Sequence, residues 1–160
     1  MSRFDNEIRV RPSVLDRLID YEPEYSREAA SSRVKNLRIL KQSVRRDIEW
    51  LLNTRATVGI PPELKEVQAS LLAFGLPDVA TFSGRNVADR VRLRRAVEHA
   101  IETFEPRLEG VVVTVEPEPG PALSMKFRID GRLKVDPAPE PVSFDTLLQV
   151  GSGEFRVKGE

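Results

Sequence analysis

Apolar and polar positions along the chain change period partway through. Val34, Leu37, Leu40, Val44, Ile48 and Leu51 recur at steps of three or four, which sets one apolar stripe on a helix. Asn53 and Thr54 end that pattern. Pro61–Pro62 then opens a second helical segment, ELKEVQASLLAF, with Leu64, Val67, Leu71 and Phe74 facing inward. Gly75 suits the position just past its end, and Pro77 prevents continuation. A third helix is predicted from about Asn86 to Phe104, its inner face marked by Val87, Val91, Ala100, Ile101 and Phe104, with Val97 beside them.

After Glu109–Gly110 the period becomes two. Val111, Val113 and Val115 alternate, then Leu123, Met125, Phe127 and Ile129, then Val142, Phe144 and, less cleanly, Leu148 and Val150. Turns rich in proline, at Pro117–Pro121 and Asp136–Pro141, separate these runs, and a last short strand, EFRVK, follows Gly151-Ser-Gly153. Helices followed by strands, without a βαβ signature, predict an α+β fold: N-terminal helices, then a small antiparallel sheet of three to four strands.

Ahead of the first long helix the pattern is different. Residues 1–33 are polar and interrupted by Pro12 and Pro23, with one apolar segment, PSVLDRLID. Pro12 pre-sets a helical first turn, and Val14, Leu15, Leu18 and Ile19 lie near one face. The expected organisation is an arm over 1–33 carrying a short docking helix and linker, then a single α+β domain over 34–160. At 160 residues the chain is long enough for one core.

Composition narrows the chemistry. Lys plus Arg (25) balance Asp plus Glu (25), so no global field favours nucleic acid or an anionic membrane. The segment RNVADRVRLRR is locally basic, but Glu98, Glu102 and Glu105 follow at once, and Arg94–Glu98, Arg95–Glu102 and, earlier, Arg45–Glu49 are spaced to pair on a wet helix face. With no cysteine, disulfides, thiol catalysis and cysteine metal sites are excluded, and a lone histidine, His99, excludes any site that needs two. No serine sits in a nucleophile motif, no phosphate-binding loop is present, and no metal or cofactor is expected. The opening MSRFDNEIRVRPS lacks an apolar segment of signal-peptide length, and no run approaches the roughly 20 apolar residues of a membrane span. A cytoplasmic protein is expected.

One short stretch, FEPRL at 104–108, concentrates the remaining candidates. Glu105 is the best available carboxylate for glycoside hydrolysis, which needs two carboxyl groups about 5 to 10 Å apart, one of them in an apolar pocket. Arg107 stands two residues on, however, and a neighbouring cation favours the ionised carboxylate, the wrong direction for a general acid. Aromatic side chains for a sugar cleft are also scarce, with one Trp and two Tyr. Pro106 removes a backbone donor and turns Glu105 away from the α region, so the helix must stop near Phe104. On composition alone, Glu105–Pro106–Arg107 reads equally as a helix terminator or as a rigidly aimed contact.

The ordered series PSVLDRLID-x-EP, SVRRDIEWLLNTR (43–55), SLLAFGLPD (70–78), LRRAVEHAIETFEPRL (93–108) and VSFDT (142–146) resembles the TssE family of type VI secretion baseplate subunits. That family lies within the wedge proteins of contractile phage tails, often labelled "lysozyme-like". The resemblance covers nearly the whole chain. It implies a small structural α+β protein without enzymatic activity, associating with TssF and TssG, with TssK as a further candidate partner. It also implies a link between the baseplate and the first ring of the TssB–TssC contractile sheath, whose subunits join through shared sheets. Glu105, Pro106 and Arg107 match the family's Glu-Pro-Arg motif and are implied to lie at the contact with wedge-subunit helices. The terminal EFRVK is a candidate edge for strand exchange with the sheath. The rival reading from another class is a peptidoglycan-cleaving, lysozyme-like enzyme, and a third is a nucleic-acid binder using the arginines of 85–95.

Overall fold

A computed structural model of the chain describes residues 13–19, 33–56, 58–79, 82, 86–116, 124–149 and 151–159. In chain order these form α1 (Val14–Leu18), α2 (Arg33–Asn53), α3 (Lys65–Gln68), a 3-10 turn at Leu71–Ala73, α4 (Val87–Phe104), then β1 (Leu108–Glu116), β2 (Ser124–Leu133), β3 (Glu140–Gln149) and β4 (Glu154–Gly159). The α+β expectation holds, with helices first and then a four-stranded antiparallel meander in the order β1-β2-β3-β4. The arm residues 1–12, the linker 20–32, the proline-rich turn 117–121 and the strand positions Leu123 and Val150 lie outside the described residues.

Two-residue periodicity divides the sheet into a dry and a wet face. Val111, Val113, Met125, Phe127, Ile129, Phe144, Leu148, Phe155 and Val157 are buried under α2 and α4, with α2 packed along β4 and α4 along β1. On the opposite face a cross-strand ladder of charge runs from Glu116 to Lys126 (3.0 Å) and Arg128 (3.4 Å), and from Arg128 to Asp145 (3.2 Å). Pro141 lies inside β3, opposite Arg132, but β4 reaches only from Phe144 to Gln149, so Pro141 has no second strand beside it.

The long α2 follows its apolar stripe, with Leu40, Val44, Ile48 and Leu51 buried; Leu52, outside that stripe, is buried too. The segment predicted as one second helix does not form one. It breaks after four residues because Ser70 turns its hydroxyl on the local backbone: Oγ donates to the Val67 carbonyl at 2.6 Å and accepts from Leu72 N–H at 3.3 Å, starting the 3-10 turn. The break swings Leu71 outward to 87 % exposure and leaves Leu64 exposed, while Phe74 packs edge-on to Phe104 at 5.2 Å. Gly75 follows with φ 116°, and a Cβ there would lie 2.4 Å from the Thr54 carbonyl oxygen. That contact zone ties the end of α2 back through Leu76 N–H to Thr54 O (2.9 Å) and Ala56 N–H to Leu76 O (2.8 Å).

Helix α4 begins as predicted, with Asn86 accepting from Ala88 N–H at 2.9 Å. Its buried face is Leu93, Val97, Ala100 and Ile101, whereas Val87 and Val91 are exposed. The inward stripe thus begins nearly two turns later than expected, at Leu93 instead of Val87, because the start of α4 projects past the core. Arg94 pairs with Glu98 at 3.3 Å, and His99 is a surface residue. Arg45, expected to pair with Glu49, instead reaches β4, and no ion pair joins Arg95 to Glu102 among the described residues. No helix among them is long and apolar enough to cross a membrane.

Candidate functional site

The stretch from Glu105 to Leu108 is a β-turn. The Glu105 carbonyl accepts from Leu108 N–H at 3.1 Å, Pro106 occupies the second position that favours its fixed φ, and the turn hands α4 directly to β1. Glu105 N–H still bonds the Ile101 carbonyl at 2.9 Å, so Glu105 is the last residue tied to the helix. Lys134 closes the other side of the turn, its backbone N–H to Arg107 O (2.9 Å) and its Nζ to Pro106 O (2.8 Å).

This turn sends its side chains in opposite directions. Pro106 is exposed, whereas Glu105 is only 4 % exposed. A buried carboxylate needs donors close by. Arg107 supplies them: Nε to Oε1 at 2.7 Å, Nη2 to Oε2 at 2.5 Å and the backbone N–H to Oε1 at 3.1 Å. This is a two-pronged, charge-assisted pairing between residues two apart.

The guanidinium does more than hold Glu105. Nη2 also donates to Asp47 Oδ2 at 2.5 Å, and Nη1 donates to Ser43 Oγ at 2.9 Å and approaches Asp16 Oδ2 at 3.4 Å. Ser43 in turn donates to the same Asp16 oxygen at 2.5 Å. Arg46 completes the cluster through Asp16 Oδ1 (2.8 Å) and Asp47 Oδ1 (2.9 Å), while its guanidinium lies 5.5 Å from the centre of the Trp50 ring. Three carboxylates and two guanidiniums from α1, α2 and the α4–β1 turn thus form one closed network. Burial works against the charge of Arg107, but the hydrogen bonds and fields of Glu105 and Asp47 outweigh it and keep the group firmly cationic.

Asp16 has a second task. It is the third residue of α1, where it accepts from Ser13 N–H (3.0 Å) while Ser13 Oγ accepts from Asp16 N–H (3.1 Å), a reciprocal capping box. Burial raises the pKa of Asp16, but bonds from Ser43, Arg46 and Ser13 override it and hold the carboxyl well below the usual range. One carboxylate therefore both starts the helix and moors it to the domain.

Of the expected site residues, Glu105 and Arg107 meet in the network and Pro106 stays at the surface beside it. Asp16, Ser43, Arg46 and Asp47 were missed. For three of them a signal was present: S-x-x-D spans the first turn of α1, and Ser43 and Asp47 stand four apart on α2 beside the buried Val44 and Ile48.

The terminal strand lies at an edge of the sheet, as expected, but outward backbone groups along it are already engaged. Asn53 grips Phe155 on both sides, donating to its carbonyl and accepting from its N–H, each at 2.8 Å. Arg45 Nη1 caps the Val157 carbonyl at 3.2 Å, and Arg55 Nη2 caps the Gly153 carbonyl at 2.8 Å. Side chains from α2 and from Arg55, two residues beyond it, thus occupy outward backbone groups that a neighbouring strand would use. At the opposite edge of the sheet, Val113 N–H meets Glu98 Oε1 at 3.3 Å.

The fold and this network define a compact helix-and-sheet module whose central charges are spent on one another. A sequence model of the baseplate wedge protein gp25 family matches residues 38–138, which include Glu105–Arg107, the greater part of α2, all of α4, and strands β1 and β2. The chain belongs to that family, and its role is structural, within a phage-tail-like baseplate. No curated protein and no solved structure matches the chain.

Proposed function

We propose that the chain is a TssE-type subunit of a type VI secretion baseplate. In this reading it joins TssF and TssG, with TssK as a further neighbour, and links the wedge to the first TssB–TssC sheath ring so that sheath polymerisation can begin. It acts in the cytoplasm at the inner face of the membrane, without inserting into it and without nucleic acid or cofactor. The family match over residues 38–138 carries the reading.

The geometry supports assembly over lysis. A general acid must hold a proton and release it to a leaving group, whereas both Glu105 oxygens accept N–H groups from Arg107. The same bonds suit Glu105–Pro106–Arg107 as a wedge contact of a particular kind. Glu105 and Arg107 fix the shape of the junction from beneath, and the exposed Pro106 offers the surface. The sheet is the element directed to the sheath, either by its β1 edge or by opening the side-chain clasp on β4.

The test is co-purification with TssF and TssG using Pro106→Glu at the surface and Arg107→Lys in the network, each first checked for its fold by circular dichroism. Loss of wedge association at an unchanged melting temperature supports the assignment; full association by both variants sinks it. Cell-wall turbidity assays on the same protein provide the enzymatic check, since lysis abolished by Glu105→Gln would replace the structural reading.

A further inference from the structure

The network around Arg107 is built as a receptor, and its occupant is a piece of the same chain. Asp47 and Glu105 orient the two guanidiniums, both acids being fixed on α2 and the turn. Take Asp16 away and two acids face two bases, so the pocket is formally neutral, yet it keeps donors aimed at an empty point. Ser43, itself buried, loses the acceptor for its hydroxyl, and Arg107 Nη1 and Arg46 Nη2 lose a carboxylate. Donors sealed beneath a seated helix without an acceptor are costly, so this pocket selects a helix that brings a carboxylate.

What fills it is weakly held otherwise. Helix α1 has five residues, its Val14 and Leu18 are 75 and 76 % exposed, and among its described side chains Leu15 and Asp16 are only partly buried. Asp16 is therefore its mooring. The bound feature is also specific: not a bare carboxylate, but one at the third position of a helix, presented with its capping serine.

We propose that the Ser43–Arg46–Arg107 pocket is a binding site for a helix whose first turn carries a carboxylate, and that α1 occupies it in cis as an exchangeable placeholder. A partner helix of the same chemistry enters by displacing Asp16. This rests on the wedge reading above only for the identity of the incoming helix; the pocket and its cis occupant stand on the contacts alone. Cis occupancy lowers the apparent affinity for an outside helix by the fraction of time the pocket is free.

The experiment uses the full chain and its Asp16→Arg and Asp16→Asn variants. The probe is a capped synthetic peptide of residues 12–20, PSVLDRLID, and its counterpart with Asn at the first aspartate. Trp50, the single tryptophan and a neighbour of Arg46, gives the fluorescence readout, and hydrogen exchange at residues 14–19 reports release of α1. Asp16→Arg, repelled by both guanidiniums, should bind the peptide about tenfold or more tightly than the unmodified chain, and the Asn peptide should bind neither. Equal binding by the unmodified chain and both variants, or indifference to the peptide's aspartate, overturns the proposal. Should Asp16→Arg fail to fold, Asp16→Asn provides the same comparison, with faster exchange in α1 required. Co-purification with the wedge subunits adds a separate arm. Stronger association by Asp16→Arg supports displacement, and weaker association shows α1 to be part of the contact and overturns it. Peptide binding that persists while both Pro106→Glu and Arg107→Lys leave wedge association intact would remove the wedge reading and leave the pocket.

Discussion

Replacing Arg107 with alanine probes the construction of the site most directly. Arg107 gives the buried Glu105 carboxylate two side-chain hydrogen bonds, at 2.7 and 2.5 Å, and the variant retains only the backbone N–H of residue 107. Removing one member of a buried ion pair costs about 3–5 kcal/mol, because the surviving charge stays out of water without compensation. For a chain of this size each kcal/mol moves the midpoint by about 2–4 °C, so Tm should fall by roughly 6–20 °C. Glu105→Ala should be milder, about 1.5–3 kcal/mol for a lost charged hydrogen bond, since Arg107 keeps Asp47 and Ser43. The double variant should then be more stable than Arg107→Ala alone, with no buried anion left behind. Urea unfolding followed by circular dichroism and Trp50 fluorescence measures all three. A loss below about 1 kcal/mol in Arg107→Ala, or single losses that simply add in the double variant, would refute the reasoning.

Gly75→Ala must place a Cβ 2.4 Å from a backbone oxygen at φ 116°, and should cost about 1–3 kcal/mol and loosen the tie between Thr54 and Leu76, read by hydrogen exchange at those amides. Asn53→Ala orphans both groups of Phe155 and should cost about 1–3 kcal/mol, with concentration-dependent self-association by light scattering as the bared β4 edge finds other strands. For Asp16 the folded pKa is depressed, so its stabilising contribution is complete above the unfolded value of about 3.9 and is lost as pH falls below it. Acidification should therefore free α1 from Ser43, Arg46 and Arg107, seen as a change in Trp50 fluorescence that Asp16→Asn removes.

Much of the fold was legible because periodicity is a local property. Steps of three or four residues and then of two specify which face of each segment must leave water, and neither needs knowledge of the neighbours. Val44, Ile48 and Phe127 could hardly lie elsewhere than in the core. The same local logic misread residues 63–74, where the apolar spacing suits a helix but the Ser70 hydroxyl competes for the backbone, and it misread Val87 and Val91, which continue a helical stripe beyond the reach of the sheet.

The site divides along the same line. Pro106 and the end of α4 follow from the missing N–H and the fixed φ, and Glu105 and Arg107 are near neighbours in sequence. What no spacing reveals is that Asp16, Ser43 and Asp47 converge on that guanidinium across separations of 91, 64 and 60 residues. Burial then decides the meaning of the charges. In water Glu105 and Arg107 would be two solvated groups worth little to each other, but once the core closes over them an unpaired partner becomes costly. The sequence alone determined where α4 must stop and which residues could turn the corner; the tertiary structure decided that the corner faces inward and holds the chain's own first helix.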